Sequence, residues 1–198
     1  MQAIAERAQS GELPCDIRAV ISDKAAASGL EAARRLSLST HTLSAAGYAD
    51  RAAYDHALAE LIAGFAPKLV VLAGFMRILS PAFVQRHAGR LINIHPSLLP
   101  KFRGLHTHRR ALEAGETVHG SSVHFVTEEL DGGPVILQAQ VAVEPTDTEA
   151  TLAARVLAQE HRIYPTVIEW FARGRLELRA GRAWLDRAPL DQPLLITH

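Results

Sequence analysis

Leu91-Ile92-Asn93-Ile94-His95-Pro96-Ser97-Leu98-Leu99-Pro100 is an apolar run that passes into a proline-stiffened loop. Leucine and isoleucine at 91, 92 and 94 suit a strand buried in a sheet. Asn93 and His95 lie two apart, so an extended backbone puts both side chains on one face. Pro96 and Pro100 restrict the chain just beyond, which suits a site whose geometry must hold. Open α/β sheets bind ligands at the carboxyl ends of such strands.

Outward from this stretch, short strand-like runs alternate with helical patterns. Strands are expected at Ile17–Ser22, Lys68–Ala73, Arg90–Ile94, Val118–Val126 and Val135–Val143. Helices are expected at Gln2–Gln9, Gly29–Leu36, Arg51–Phe65, Pro81–His87, Thr107–Ala114 and Thr148–Phe171. The alternation predicts an α/β domain. Its sheet is open and mostly parallel, with helices on both faces and an antiparallel C-terminal part, where Thr127–Pro134 connects two antiparallel strands. The 198 residues, 48% hydrophobic and 21% charged, fit one domain with a sizeable core.

Lys+Arg and Asp+Glu are 21 each, a net charge of +0. That balance gives no electrostatic reason to expect nucleic acid or a membrane surface as partner. Cys15 is the only cysteine, which excludes an intramolecular disulfide and a cysteine-rich metal site. The N-terminus is charged where a signal peptide needs an apolar run, and Leu69–Met76 is far too short to span a membrane. A cytoplasmic location is the expectation.

An amide and an imidazole on one face can hydrogen-bond one oxygen, and each such donor to a developing oxyanion is worth about 3–4 kcal/mol. Asp131, followed by Gly132-Gly133-Pro134, lies in a conformationally special loop. It is either a turn aspartate or, if it approaches His95, a carboxylate that favours the imidazolium needed for general-acid work. Arg77 follows an apolar strand and is either a charge at the strand's functional end or a solvated loop residue. Leu152, Val156, Ile163 and Val167 mark the buried stripe of the last helix, and Glu160 falls inside it. Its carboxylate is either paired with an arginine at the core edge or faces a ligand amine. The histidine pairs His106/His108 and His119/His124 form no coherent metal set with a nearby acid. Ser97 or Ser122 could enter a Ser-His-Asp arrangement, but the nucleophile-elbow glycine pattern is absent.

The Asn93–Pro100 stretch followed by the Asp131-Gly132-Gly133-Pro134 loop resembles the folate-dependent formyltransferases. Within them the chain is most similar to the branch acting on glycinamide ribonucleotide in purine biosynthesis. That likeness rests on Ala73-Gly74-Phe75-Met76-Arg77-Ile78-Leu79, Gly104-Leu105-His106-Thr107-His108-Arg109, His119-Gly120-Ser121-Ser122-Val123-His124-Phe125 and Gln159-Glu160-His161. It covers essentially the whole chain.

The resemblance implies a Rossmann-like fold and formyl transfer from 10-formyltetrahydrofolate to an amine, with small molecules as partners and no metal. His95 would protonate or hydrogen-bond the formyl oxygen beside Asn93. Asp131 would keep His95 charged and help a water carry the proton from amine to folate nitrogen. Met76, Arg77, Ile78 and Leu79, with Asn93, Thr127, Glu128, Glu129, Leu130 and Asp131, would wall the folate pocket, and Arg51 would serve the same side. Leu157, Ala158, Gln159 and Glu160 would grip the glycinamide substrate.

One departure stands out. The family opens with a strand and a glycine-rich phosphate-binding loop, whereas this chain starts at Met1 inside the following helix. An N-terminally truncated domain is the expectation, with a start codon assigned too late favoured over a real truncation. The sheet would then carry an unpaired edge on Lys68–Ala73 or Ile17–Ser22, an edge that invites an edge-mediated dimer. Three other readings stay open. Methionyl-tRNA formyltransferases carry an added basic RNA-binding domain, deformylases use water as acceptor, and a non-catalytic folate-binding protein would use the pocket alone.

Overall fold

The computed structural model describes residues 1–197. After helix α1 (Gln2–Gln9), strand β1 (Val20–Ser22), helix α2 (Ser28–Arg35) and strand β2 (Thr40–Thr42) form a parallel βαβ unit. Helix α3 (Arg51–Gly64) leads into β3 (Val70–Leu72), α4 (Pro81–Arg86) and β4 (Leu91–His95), and β3 pairs with β4 in parallel. Helix α5 (Thr107–Glu113) precedes β5 (Val118–Phe125) and β6 (Val135–Ala142). Antiparallel pairing joins β4 to β5 and β5 to β6, as expected of the Thr127–Pro134 connection. Long helix α6 (Glu149–Ala172) follows, then β7 (Leu176–Arg179), β8 (Arg182–Leu185), β9 (Ala188–Pro189) and β10 (Leu194–Thr197).

The central sheet has the order β10-β6-β5-β4-β3, and β7-β8-β9 form a separate antiparallel meander. Alternation along β4 separates two cores. Ile92 packs with Val123, Phe125 and Leu137 beneath Ile163, Val167 and Ile168 of α6. Leu91 packs on the other face with Phe83 of α4 and Tyr54, Leu58 and Ile62 of α3. Helices therefore cover both faces of an α/β sheet, as expected. Among the described residues β1 bonds only β2 and β3 only β4, so both runs expected to carry an open edge do so. Helix α3 spans the two, because Ile21, Val70 and Leu72 all pack in its cluster.

The helices start where local chemistry stops the strands. The Asp50 carboxylate accepts from the Ala53 N–H at 2.8 Å to cap α3. Ser80 caps α4, with Pro81 in its first turn. A capping box between Thr148 and Thr151 starts α6, two residues after the Thr146–Glu149 spacing that reads as such a start in the sequence. Asp147 is held instead by the fork of Arg155, at 2.7 and 2.9 Å.

Strands β2 and β7–β10 fall outside the sequence reading. Strand β2 is Thr-His-Thr, too short for a period to show. The β7–β8 hairpin turns through Ala180 and Gly181 with φ of 47° and 74°. That is the two-residue turn hairpins favour, with an uncharacteristic alanine at its first position.

Candidate active site

Strand register assembles the site. Asn93 lies opposite His124 and His95 opposite Ser122 in the antiparallel β4–β5 pair. Residues directly opposite share a face, so four polar side chains line up on the side away from the α6 core. The returning Thr127–Pro134 loop brings Asp131 over them, held in the left-handed region at φ 48°, which an aspartate tolerates better than most residues. Gly133 permits this path, because a Cβ there would sit 1.9 Å from the Phe125 carbonyl oxygen.

The Asp131 carboxylate is 3.4 Å from Nδ1 of His95 and 3.8 Å from Nε2 of His124. It accepts a hydrogen bond from the Gly104 N–H at 2.9 Å. His95 also contacts the Phe102 carbonyl through Nε2 at 2.9 Å. A carbonyl and a carboxylate both accept only, so His95 faces an acceptor at each of its ring nitrogens. Asn93 Nδ2 is 3.3 Å from Nε2 of His124, whose Nδ1 is 2.9 Å from the Phe125 carbonyl. Burial pushes the His124 proton affinity down, against the opposing pull of the Phe125 carbonyl and Asp131. The ring is therefore neutral near pH 7.

A cleft opens on this cluster. Of the residues expected around it, Arg77, Ile78, Leu79, Asn93, Thr127, Glu128, Glu129, Leu130 and Asp131 line it. Leu72, Phe75, Val84, Val126 and His124 complete the wall. Met76, between two lining residues, is 76% exposed. Arg51 is the exposed first residue of α3, outside the lining. His95 lies behind Asp131 instead of on the cleft surface. Arg77 stacks over the Tyr54 ring at 4.8 Å and approaches Asp23 at 3.8 Å, which places it as a held charge at the strand end. A larger hollow behind the Pro96–His106 loop contains the Lys101–Glu116 ion pair and none of the expected site residues.

Glu160 lies on α6 one turn before Tyr164, whose hydroxyl donates toward the Leu72 and Ile92 carbonyls at 2.6 and 3.1 Å. The helix thereby sets Glu160 near the carboxyl ends of β3 and β4. Among the described residues the one charged group acting on Glu160 is the Met1 α-ammonium, so the core-edge pairing with an arginine is not formed. Burial pushes the Glu160 carboxyl up to about 7, with the Met1 α-ammonium pulling the other way. Leu157 is 48% exposed, Ala158 exposed and Gln159 half-buried on the same helix.

Ser97 and Ser122 are structural. Ser97 Oγ donates to the Lys101 carbonyl at 2.6 Å and Ser122 Oγ to the Ser97 carbonyl at 2.6 Å, so both shape the loop. The close histidine pair is His108–His119, at 3.2 Å, in place of either pairing weighed from sequence. Among the described residues no three His, Cys, Asp or Glu side chains are placed to hold a metal ion. No helix is long and apolar enough to cross a membrane.

His124 is the site residue that sequence reasoning left among metal candidates. Its signal was available: alternation along Ser122, His124 and Val126 becomes informative once β5 is registered against Asn93.

An amide, an imidazole and a carboxylate converging at strand ends beside a cleft can stabilise charge on a carbonyl oxygen, which is what an enzyme of acyl-type transfer requires. The chain belongs to the formyl transferase family, whose model matches residues 1–168. It is 59% identical over 186 residues to the phosphoribosylglycinamide formyltransferase of Escherichia coli (strain K12), covering 94% of this chain and 88% of that protein. The solved phosphoribosylglycinamide formyltransferase of Coxiella burnetii superposes with a TM-score of 0.94 at 49% identity, over 98% of this chain and 92% of that one. The formyltetrahydrofolate deformylase of Burkholderia mallei superposes at 0.82 with 29% identity, over 92% of this chain and 64% of that one.

Proposed function

We propose that this chain transfers a formyl group from 10-formyltetrahydrofolate to the amine of glycinamide ribonucleotide, acting through residues 1–198 as a single unit. The observation that carries the reading is the Asn93–His95–Asp131 cluster at the cleft, in a chain so similar to enzymes bearing that name.

The amine nitrogen attacks the formyl carbon, and the carbonyl π electrons move to oxygen. Asn93 offers an N–H to that oxyanion. His95 reaches it once one of its two contacts is exchanged, and the 3.4 Å approach to Asp131 is the longer. Asp131 balances the imidazolium charge and, through a water, accepts the proton released by the amine. The oxyanion pair then re-forms the carbonyl, and the carbon–nitrogen bond to the folate breaks as that proton reaches the leaving nitrogen. Arg77, Ile78, Leu79 and Thr127–Leu130 form the folate side, with Met76 at its rim. Arg51 is assigned there through the family likeness. Glu160, with Leu157, Ala158 and Gln159, holds the acceptor. The enzyme works in the cytoplasm without a metal.

The test is an incubation with both substrates, following tetrahydrofolate and formylated amine together. Equimolar appearance of both is expected. A hydrolytic reading, with water as acceptor, has support in the deformylase likeness. Formate release at the same rate without the amine would establish it and overturn transfer, and no turnover in either mixture would overturn both.

A further inference from the structure

His124 is fully buried in β5, directly across from Asn93, and its two ring nitrogens have different partners. Nδ1 is 2.9 Å from the Phe125 carbonyl. A carbonyl cannot donate, so Nδ1 carries the proton. In a neutral ring Nε2 then presents a lone pair. At 3.3 Å from that lone pair stands the Asn93 amide nitrogen, which can only donate. Turning the amide over would set its carbonyl oxygen against the same lone pair, an unpaired and repulsive arrangement in a buried place.

The charged groups acting on the ring are Asp131, which favours protonation, and His95 and Arg103, which oppose it. Asp131 is 3.8 Å from Nε2, beyond hydrogen-bond reach. Asn93 therefore has one N–H committed to His124 and a second left for the cleft it lines.

We infer that His124 is a positioning residue, whose Nε2 lone pair fixes the Asn93 amide so that an N–H, not the carbonyl, faces the reacting formyl oxygen. This deepens the formyl-transfer reading and rests on it. The fixed orientation matters because a donor aimed in advance costs no reorganisation when charge develops. A freely turning amide would present its oxygen to an oxyanion part of the time. The Phe125 carbonyl sets the tautomer, the tautomer sets the amide, and the amide addresses the substrate.

Two substitutions separate the ring's two bonds. His124→Asn keeps a donor where Nδ1 was and loses the acceptor, while His124→Gln can place an oxygen where Nε2 was. His124→Asn is expected to lower kcat about tenfold with both KM values nearly unchanged, the pattern of an interaction made in the transition state. His124→Gln is expected to recover most of that loss. In an Asn93→Ala background His124→Asn should add less than about twofold, because the two residues act as one unit. Additive losses, or equal impairment by Gln and Asn, would overturn the inference in favour of a merely structural histidine. Nitrogen NMR of the ¹⁵N-histidine-labelled wild-type protein at pH 7 decides the tautomer independently of turnover. A protonated Nε2 overturns the inference. A wild-type protein with unprotonated Nε2 but no formyl transfer overturns the functional reading instead, and with it the role of the amide.

Discussion

Replacing Glu160 by glutamine should stabilise the free protein at alkaline pH while weakening the acceptor site. The Glu160 carboxyl is pushed from its ordinary 4.5 up to about 7 by burial. A group whose folded-state affinity for protons is raised contributes its stability fully below 4.5 and loses it as pH rises through 7. At about 1.4 kcal/mol per tenfold change in proton affinity, the whole window is worth about 3 kcal/mol. Between pH 5 and pH 8, with some relief from water at a half-buried side chain, about 2 kcal/mol of loss is expected in the wild type. Glutamine does not titrate, so Glu160→Gln should lack that slope. For a chain of this size the difference corresponds to roughly 4–8 °C in Tm. Urea or thermal unfolding of both proteins at the two pH values measures it. In the same variant, the loss of one charge-assisted contact should weaken glycinamide ribonucleotide by about 1.5–3 kcal/mol and leave folate binding unchanged. Parallel pH slopes in the two proteins would refute the desolvated carboxylate. Equal weakening of both ligands would refute its assignment to the acceptor.

Other expectations concern the cluster and the loops that hold it. His95→Ala should lower kcat roughly a hundredfold or more while the protein still binds folate by fluorescence titration. Gly133→Ala must push the Asp131 loop off the Phe125 carbonyl, with a cost of about 1–3 kcal/mol in unfolding free energy and a fall in turnover. Burial lowers His119 to about 4, with neighbouring His108 acting in the same direction. A histidine depressed in this way contributes stability above its ordinary 6.5 that is lost as pH falls through 4. An acid limb of about 3 kcal/mol is therefore expected in unfolding titrations, and His119→Gln should flatten it.

The parts legible in the sequence were those with a local cause. Apolar runs ending in polar or proline residues gave β3 through β6, and the helical spacing of Leu152, Val156, Ile163 and Val167 gave the buried face of α6. The Asn93/His95 pair could be read because a period of two needs no partner strand. Strand β2 and the C-terminal meander lacked such signals, since three-residue strands and an Ala-Gly turn carry little pattern. Glu160 was legible as a misplaced charge, but whether an arginine met it depended on packing between distant elements. His124 likewise required the β4–β5 register, a non-local fact. The contacts of His95 depended on the path of the Pro96–His106 loop, whose Phe102 and His106 adopt positive φ that no sequence rule assigned.

The same two strands supply both the core and the candidate site, and that has a mechanical consequence. Ile92, Val123 and Phe125 are fully buried beneath α6, while Asn93, His95, Ser122 and His124 alternate with them on the other face. A buried strand cannot slip by one residue without exchanging its faces, which would turn the polar set into the apolar core beneath α6 and the apolar set onto the site. The hydrophobic core thus holds the register that aligns Asn93 with His124. Ser122 continues the control outward, because its hydroxyl donates to the Ser97 carbonyl and accepts from the Leu99 N–H at 3.0 Å. That bond ties the loop after His95 to the strand opposite it. Two loops, the one carrying Asp131 and the Pro96–His106 loop, then meet over a pair of residues that the core has already placed. Side chains held by packed strands in this way keep their mutual geometry more precisely than loops alone would.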